Sequence, residues 1–165
     1  MTPLYAGVAT VWEAIAAEAS AESVLWAEAL REPEERELDA IFSSLGDERF
    51  ALGLETIYEG YLLHYGRPRL FAPVDEDTAL LLGDYLYAHG LVRIAEAGPV
   101  EAVTDLSALI SLCAQLRADG QPGDGEAWAA TAATLGRGED ARLAWAPGPE
   151  AERALTSHHG RVGSP

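Results

Sequence analysis

The sequence predicts an all-α fold, a bundle of about six helices, and two observations support this prediction. Apolar residues recur at helical spacing along most of the chain, within segments rich in the helix-favouring residues Ala, Leu and Glu. Sustained alternation of apolar and polar residues, which is typical of strands, does not occur, and the β-branched residues are scattered. We expect one helical domain over residues 1–146 and a polar tail over residues 147–165, where Pro and Gly are frequent.

The first two helices are predicted near the N-terminus. Thr2 can cap the first helix, with Pro3 in its first turn, and this helix ends before Pro33. Its apolar positions are Val8, Val11, Trp12, Ile15, Val24, Leu25 and Ala29. A shorter second helix is predicted over residues 33–46, because the acidic residues that follow the proline favour a helix N-terminus. Its apolar face consists of Leu38, Ile41, Phe42 and Leu45.

The third and fourth helices have clear boundaries in the sequence. Asp47 can cap the third helix, whose broad apolar stripe ends at the break formed by residues 66–68. The acidic triplet 75–77 lies where a helix N-terminus attracts negative charge. The fourth helix follows it, and we expect this helix to be long and buried, from the apolar run 80–82 to Ile94.

Two further helices are predicted after the fourth. Gly98 and Pro99 separate the fourth helix from a fifth, which ends at Gly120. Residues 120–125 contain turn residues and read as a loop, and residues 126–135 form a short Ala-rich sixth helix.

The charge of the chain restricts its expected partners. The formal net charge is -16, from 27 acidic and 11 basic residues, so the chain repels the phosphate backbone and anionic membrane surfaces. We therefore expect no nucleic-acid partner. A solvated negative surface is the simpler interpretation of this charge, and docking to a basic protein is the alternative.

Several features favour a cytoplasmic protein. No segment approaches the ~20 consecutive apolar residues of a membrane span. The first residues lack the basic start and apolar block of a signal peptide. The single cysteine, Cys113, cannot form an intrachain disulfide, and no Cys and His set with zinc-site spacing surrounds it.

Residues 51–113 resemble the middle of trans-polyprenyl diphosphate synthases. The string E-T-I-Y-E-G-Y-L-L-H at residues 55–64 is similar to the family's helix E-x-I-H-x-x-x-L-I-H. Residues 66–68, Gly-Arg-Pro, resemble the family's R-G-R-P-T-V-N stretch, and residues 81–86 match its L-x-G-D-[YF]-L pattern. Residues 94–110 are similar to A-E-x-G-D-x-x-V-x-x-L-S-x-x-I. The resemblance implies an isoprenoid-synthase-like helical fold.

The chain departs from this family at the residues that carry its chemistry. Tyr65 and Gly66 come directly after His64, where the family's first aspartate-rich motif, D-D-x-x-D, would begin. The second such motif, the G-G-K-x-x-R-P stretch and the lysine of the K-T motif are also missing. In the family, two facing carboxylate sets hold the magnesium ions that neutralise the leaving diphosphate. The sequence therefore predicts no catalytic, cofactor-binding or metal-ligating residue for this reaction.

Asp75, Glu76, Asp77 and Asp84 form the only local acidic cluster in the sequence that could replace the missing carboxylates. Capping of a helix N-terminus is the simpler interpretation of the first three. His64, near Tyr58 and Tyr61, is expected to be a core histidine at a helix edge, with a role as general base as the alternative.

The remaining candidates also have simpler structural interpretations. His158, His159 and Arg161 could bind a metal or an anion, but a polar tail explains them. Cys113 is expected to be a small core residue. The tryptophans are expected to be core or interface residues, and Trp145 is the one that could mark a docking site. These tryptophans are Trp12, Trp26, Trp128 and Trp145.

Three functional hypotheses follow from the sequence. The first is a non-catalytic, prenyl-synthase-like accessory, regulatory or structural subunit that binds a protein partner, as a homo-oligomer or with a prenyl synthase or larger complex. The alternative is a reduced enzyme or binder that acts on a prenyl diphosphate or prenyl chain through the region from Asp75 to Asp84. A third is an accessory subunit of an unrelated assembly.

Overall fold

The computed structural model describes residues 3–163, and the side chains from residue 11 onwards, and it confirms the all-α prediction. The described residues contain eight α-helices and no strand. The helices are α1 (Pro3–Glu22), α2 (Val24–Ala29), α3 (Ala51–Tyr65), α4 (Glu76–Ala97), α5 (Val100–Ala118), α6 (Asp124–Ala133), α7 (Glu139–Ala144) and α8 (Pro149–Val162). α2 and α7 have 6 residues each and the others are longer, which agrees with the predicted bundle. The predicted cap Thr2 lies outside the described residues, as does the side chain of Val8.

The first predicted helix is two helices, because Ser23 interrupts it. Ser23 has an extended backbone, with φ -157° and ψ 140°. Its hydroxyl accepts a hydrogen bond from the backbone N–H of Leu25, at 3.1 Å, and so caps α2. No helix between residues 3 and 163 combines the length and the apolar composition that crossing a bilayer requires.

The predicted second helix, over residues 33–46, is wrong. The chain forms two 3₁₀ turns there, Pro33–Glu35 and Ser43–Leu45, joined by an irregular, largely extended segment. Arg69 holds this segment: its backbone carbonyl accepts a hydrogen bond from the Glu37 N–H at 3.1 Å, and its Nη1 donates to the Asp39 carbonyl at 2.7 Å. Tertiary hydrogen bonds therefore override the local helix signals.

The third to sixth predicted helices are confirmed as α3 to α6. Asp47 caps a 3₁₀ turn that leads into α3, and the carboxylate of Asp75 accepts from the backbone N–H of Thr78 at 2.7 Å to cap α4. α6 begins at Asp124, two residues earlier than predicted. The apolar run at the start of α4 is not buried as expected: Leu80 and Leu81 are 50% and 59% exposed, whereas Leu82 is buried.

α3 is the central helix of the bundle, and it packs closely on α4. Residues 53–63 of α3 are all buried. A Cβ atom added to Gly60 would lie 2.8 Å from the Gly83 carbonyl oxygen, and one added to Gly90 would lie 3.2 Å from the Gly53 carbonyl oxygen. The two backbones are therefore in direct contact, which only glycine permits at such distances.

The predicted polar tail over residues 147–165 is wrong for the described residues, since α8 occupies Pro149–Val162 and one face of it is buried. The buried residues of this face are Ala151, Ala154, His158 and Arg161. Their spacing of three and four residues places them on one side of the helix, which packs against α6 and α3. The sequence does not indicate this buried face by an apolar pattern, because two of its four residues, His158 and Arg161, are polar.

A buried cluster of one arginine and two glutamates joins α3 to the chain that follows it. Arg69 is fully buried, with its Nη1 2.6 Å from a Glu55 carboxylate oxygen and its Nε 3.0 Å from Glu59. The Glu59 carboxylate also accepts hydrogen bonds from the backbone N–H groups of Arg69 and Leu70. The two carboxylates raise the pKa of Arg69 against the opposing effect of burial, so the guanidinium stays charged. Breaking this cluster would leave buried, uncompensated charge.

Replacing Arg69 tests the importance of this cluster. We expect Arg69→Met to lower the free energy of unfolding by about 3–5 kcal/mol, because Glu55 and Glu59 lose their cation. Arg67→Met is the matched control, since the side chain of Arg67 is 55% exposed, and we expect a loss of under about 1 kcal/mol. Urea unfolding followed by circular dichroism measures both changes. Equal effects of the two substitutions would contradict the role assigned to Arg69.

Candidate functional site

Aromatic rings fill the space in the bundle between α3, α6 and α8. Their centroids lie between 5.1 and 5.9 Å apart, in stacked, tilted and edge-on pairs. The rings belong to Phe42, Tyr58, Tyr61, Trp128 and His158. Helical bundles that bind ligands do so between facing helices. In this part of the chain that space holds side chains, which stabilise the fold by their mutual packing.

Asp124 is the polar centre of this interior. Its carboxylate accepts hydrogen bonds from the Tyr61 hydroxyl, from Arg117 Nε at 2.9 Å and from the Gly125 N–H at 2.9 Å. Burial alone would raise the pKa of Asp124, but hydrogen bonds from Tyr61 and Arg117, together with the nearby His158 ring, hold that pKa well below its usual range. Burial and the neighbouring carboxylate raise the pKa of Tyr61 far above its usual value. Asp124 is therefore a stable anion that joins α6 to α3 and α5.

His158 and Arg161 are structural residues of α8, which corrects their assignment to a polar tail. His158 is fully buried, with its Nδ1 2.7 Å from the Tyr58 hydroxyl and its Nε2 3.8 Å from Asp124. Arg161 is 8% exposed and its guanidinium donates to Glu37 at 3.2 Å. His159 points to the exposed side of α8, so the two adjacent histidines do not converge on one site.

The acidic cluster from Asp75 to Asp84 is divided between two structural roles. A hydrogen bond from the Thr78 N–H lowers the pKa of Asp75, as expected for a helix cap. Asp84 lies 3.1 Å from His64 Nε2 at the edge of the α3–α4 contact. Burial lowers the pKa of His64, and Asp84 opposes this effect. Within residues 3–163, no three His, Cys, Asp or Glu side chains converge in an arrangement that could hold a metal ion.

The remaining candidates are packed in the core, as the sequence predicts for most of them. Cys113 is buried, and burial raises the pKa of its thiol to about 12. Trp12, Trp26 and Trp128 are buried, and Trp145 packs, partly buried, against the larger core cluster. Trp145 is therefore occupied by an intramolecular contact, which weakens the hypothesis that it marks a docking site.

The outer face of α4 differs from the buried helix that the sequence predicts. An apolar stripe follows this face at intervals of four, three, four and three residues. It consists of Leu81, Tyr85, Ala88, Val92 and Ala95, and we call it the α4 seam. All but Tyr85 are exposed; Leu81 is 59% and Val92 53% exposed. Intervals of this kind are typical of a seam between paired helices. This apolar spacing can be read from the sequence, but it does not indicate a surface when the whole of α4 is expected to be buried.

A shallow groove lies between α5, α6 and α7. It has a volume of about 350 Å³ and a mainly apolar lining that includes Leu109, Leu112 and Leu143. The ion pair between Asp105 and Arg142, at 3.1 Å, also borders this groove. The groove is open to solvent along the surface of the bundle and is separate from the α4 seam.

Comparisons of the chain with models of protein families, with curated proteins and with solved structures found no match. The resemblance to trans-polyprenyl diphosphate synthases therefore stays a prediction from the sequence. The contrast between a filled interior and an exposed apolar seam is the feature of this chain that bears on its function.

The Asp124 network predicts a specific pH dependence. The folded-state pKa of Asp124 lies below the unfolded value of 3.8, so its charged form stabilises the fold above that pH and this contribution is lost as the pH falls. We expect Asp124→Asn to cost about 2–3 kcal/mol at pH 7. This cost should shrink progressively below about pH 4.

Urea unfolding of the wild-type and Asp124→Asn proteins between pH 7 and pH 3 measures this difference. Asp119→Asn, at an exposed position after α5, is the control and should change stability by under about 0.5 kcal/mol at each pH. A cost of Asp124→Asn that stays constant from pH 7 to pH 3 would contradict the network.

Proposed function

We propose that this chain is a non-catalytic, cytoplasmic helical subunit that binds a protein partner through the α4 seam, and that it is related to the trans-polyprenyl diphosphate synthases it resembles. The single observation that carries the partner-binding proposal is the exposure of Leu81, Ala88, Val92 and Ala95 along one face of α4, interrupted only by the partly buried Tyr85. Exposed apolar residues are common singly, but a contiguous apolar patch is characteristic of an interaction surface.

The geometry of the seam favours a helix as the bound element. The seam extends from Leu81 to Ala95, about 21 Å along the helix at 1.5 Å per residue. An amphipathic helix binds such a surface with residues that repeat every three and four positions. Leu80, 50% exposed, lies beside the seam and adds apolar area at its N-terminal end.

The packed interior supports a binding role over a catalytic one. Tyr58, Tyr61 and His158 contact one another where facing helices would hold a substrate. Asp75 and Asp84, two members of the acidic cluster that could replace the missing motif, contact Thr78 and His64. Asp75 acts as a helix cap and Asp84 lies against His64, so a function in catalysis would require these contacts to break.

Site-specific photo-crosslinking in the native cell tests this proposal. A photoreactive phenylalanine derivative in place of Leu80, beside the seam, should form a covalent adduct with a second polypeptide, and Val92→Glu in the same chain should suppress it at least tenfold. The adduct is detected by immunoblot and identified by mass spectrometry. Leu143, 75% exposed on α7, is the control position for the photoreactive residue. Adducts of equal yield at both positions, or none at Leu80, would contradict the proposal.

The groove between α5, α6 and α7 supports one alternative, binding of a prenyl chain. Its volume of about 350 Å³ is within the range of small-molecule sites, and its lining is mainly apolar. If this alternative holds, a fluorescent prenyl alcohol will bind saturably, and Leu112→Asp will weaken its binding at least tenfold while Leu80→Asp leaves it unchanged. Our proposal predicts no saturable binding at this groove in the same fluorescence titration.

A further inference from the structure

The α4 seam has the spacing of the core positions of a coiled coil. Its intervals place Tyr85 and Val92 at a positions and Leu81, Ala88 and Ala95 at d positions of a heptad. In paired helices, the residues at the adjacent e and g positions lie beside the partner helix, and their charges determine which partner binds. The e and g positions of α4 therefore indicate the charge of the partner.

Acidic residues occupy the exposed e and g positions along the seam. Asp77 and Asp84 are at successive g positions, on one edge of the seam, and Glu96 is at an e position, on the other edge. The side chain of Asp84 is 72% exposed although it lies 3.1 Å from His64. A helix in the seam places its own flanking residues beside these carboxylates, which attract lysine or arginine and repel aspartate or glutamate.

The cations of α4 do not offset these acids. His89 and Arg93 are its only basic side chains, and both contact Glu18 of α1, with His89 Nε2 2.8 Å from that carboxylate. Near the same edge, burial raises the pKa of Tyr85, and the nearby Glu22 carboxylate adds to this effect. In the part of the chain that the structure describes, the charge left unpaired at the seam is therefore negative on both edges.

The whole chain carries the same sign of charge at longer range. Its formal net charge is -16, from 27 acidic and 11 basic residues, and it contains no lysine. The resulting field attracts a basic partner before contact and repels an acidic one, a second copy of this chain included. The local and the overall charge therefore select the same kind of partner.

We infer that the α4 seam binds a basic amphipathic helix, whose apolar residues lie on the seam and whose lysines or arginines lie beside Asp77, Asp84 and Glu96; this inference rests on the proposed function of the seam. The seam is roughly four helical turns long, so the bound helix is of similar length. The ring of Tyr85 is partly buried, with its centroid 5.9 Å from that of Trp26, and adds only part of its surface to the contact. Charge therefore contributes a large share of the selectivity.

Two synthetic helical peptides, alike except for charge, test the sign of the partner's charge. Both have Leu or Ala at their a and d positions, and one has Lys and the other Glu at its e and g positions. Fluorescence anisotropy should show about tenfold tighter binding of the Lys peptide at low salt, and a smaller preference at about 0.5 M salt, which screens the charges. Equal binding of the two peptides, or binding of neither, overturns the inference.

Two variants that lose the same formal charge separate the seam acids from the total charge. We expect the seam variant to bind the Lys peptide about tenfold more weakly, and the control variant to change its affinity by no more than about twofold. Equal losses in the two variants overturn the inference. The seam variant combines Asp77→Asn, Asp84→Asn and Glu96→Gln, and the control variant replaces exposed acids outside α4 through Asp119→Asn, Glu139→Gln and Asp140→Asn.

A carbodiimide crosslink locates the contact, because it joins a carboxylate to an amine with loss of water and this chain has no lysine. With an acetylated and amidated Lys peptide, mass spectrometry should find adducts at Asp84 or Glu96. Val92→Glu should suppress these adducts about tenfold although it adds negative charge, because it places a carboxylate in the apolar contact. Adducts mainly at acids outside α4, or adducts unchanged by Val92→Glu, overturn the inference.

The photo-adduct at Leu80 separates failure of this inference from failure of the proposed function. Mass spectrometry of the adduct formed in the native cell should identify a crosslinked segment with a net positive charge. An adduct whose crosslinked segment is neutral or acidic overturns this inference alone. Absence of any adduct at Leu80 contradicts the proposed function as well.

Discussion

The direct backbone contact between α3 and α4 is the constraint on which the rest of the structure depends. Gly60 and Gly83 meet at one point of the contact, and Gly53 and Gly90 meet at another. Because no side chain separates the two helices there, the rotation of α4 about its own axis has little freedom. In this fixed orientation of α4, the glycines and Leu82 face the interior and the α4 seam faces outward. The exposure of the seam is therefore a consequence of close packing on the opposite side of the same helix.

The buried cluster around Arg69 explains how the chain beside α3 is organised. Its guanidinium binds two carboxylates of α3 and also the carbonyl of Asp39, so one side chain determines the path of the segment before α3. The ring of Trp12 on α1 lies 4.6 Å from the same guanidinium. The Arg69 guanidinium thus contacts α3, the extended segment before α3 and α1. The structure around α3 therefore depends on a residue outside α3.

Much of this fold was predictable from local signals, and the failures share one cause. The cap at Asp75 and the break at Gly98 and Pro99 act on neighbouring backbone, so they give the boundaries of α4 and α5 correctly, whereas Asp47 caps the 3₁₀ turn that precedes α3. The segment over residues 33–46, α8 and the outer face of α4 depend instead on distant partners. A sequence does not show that Arg69 binds a carbonyl thirty residues away, or that His158 is buried against Tyr58.

The candidate site was less predictable than the fold, because the α4 seam is defined by the residues of α4 that no other part of the described chain covers. Heptad-like spacing was visible in the sequence, whereas exposure is a property of the packed molecule.

The most direct test of the account is the mass of the assembly isolated from the native cell at natural abundance, by native mass spectrometry. We predict a mass well above the 17.6 kDa of the single chain, reduced to that value by Val92→Glu. A single 17.6 kDa species from the wild-type chain would contradict the account.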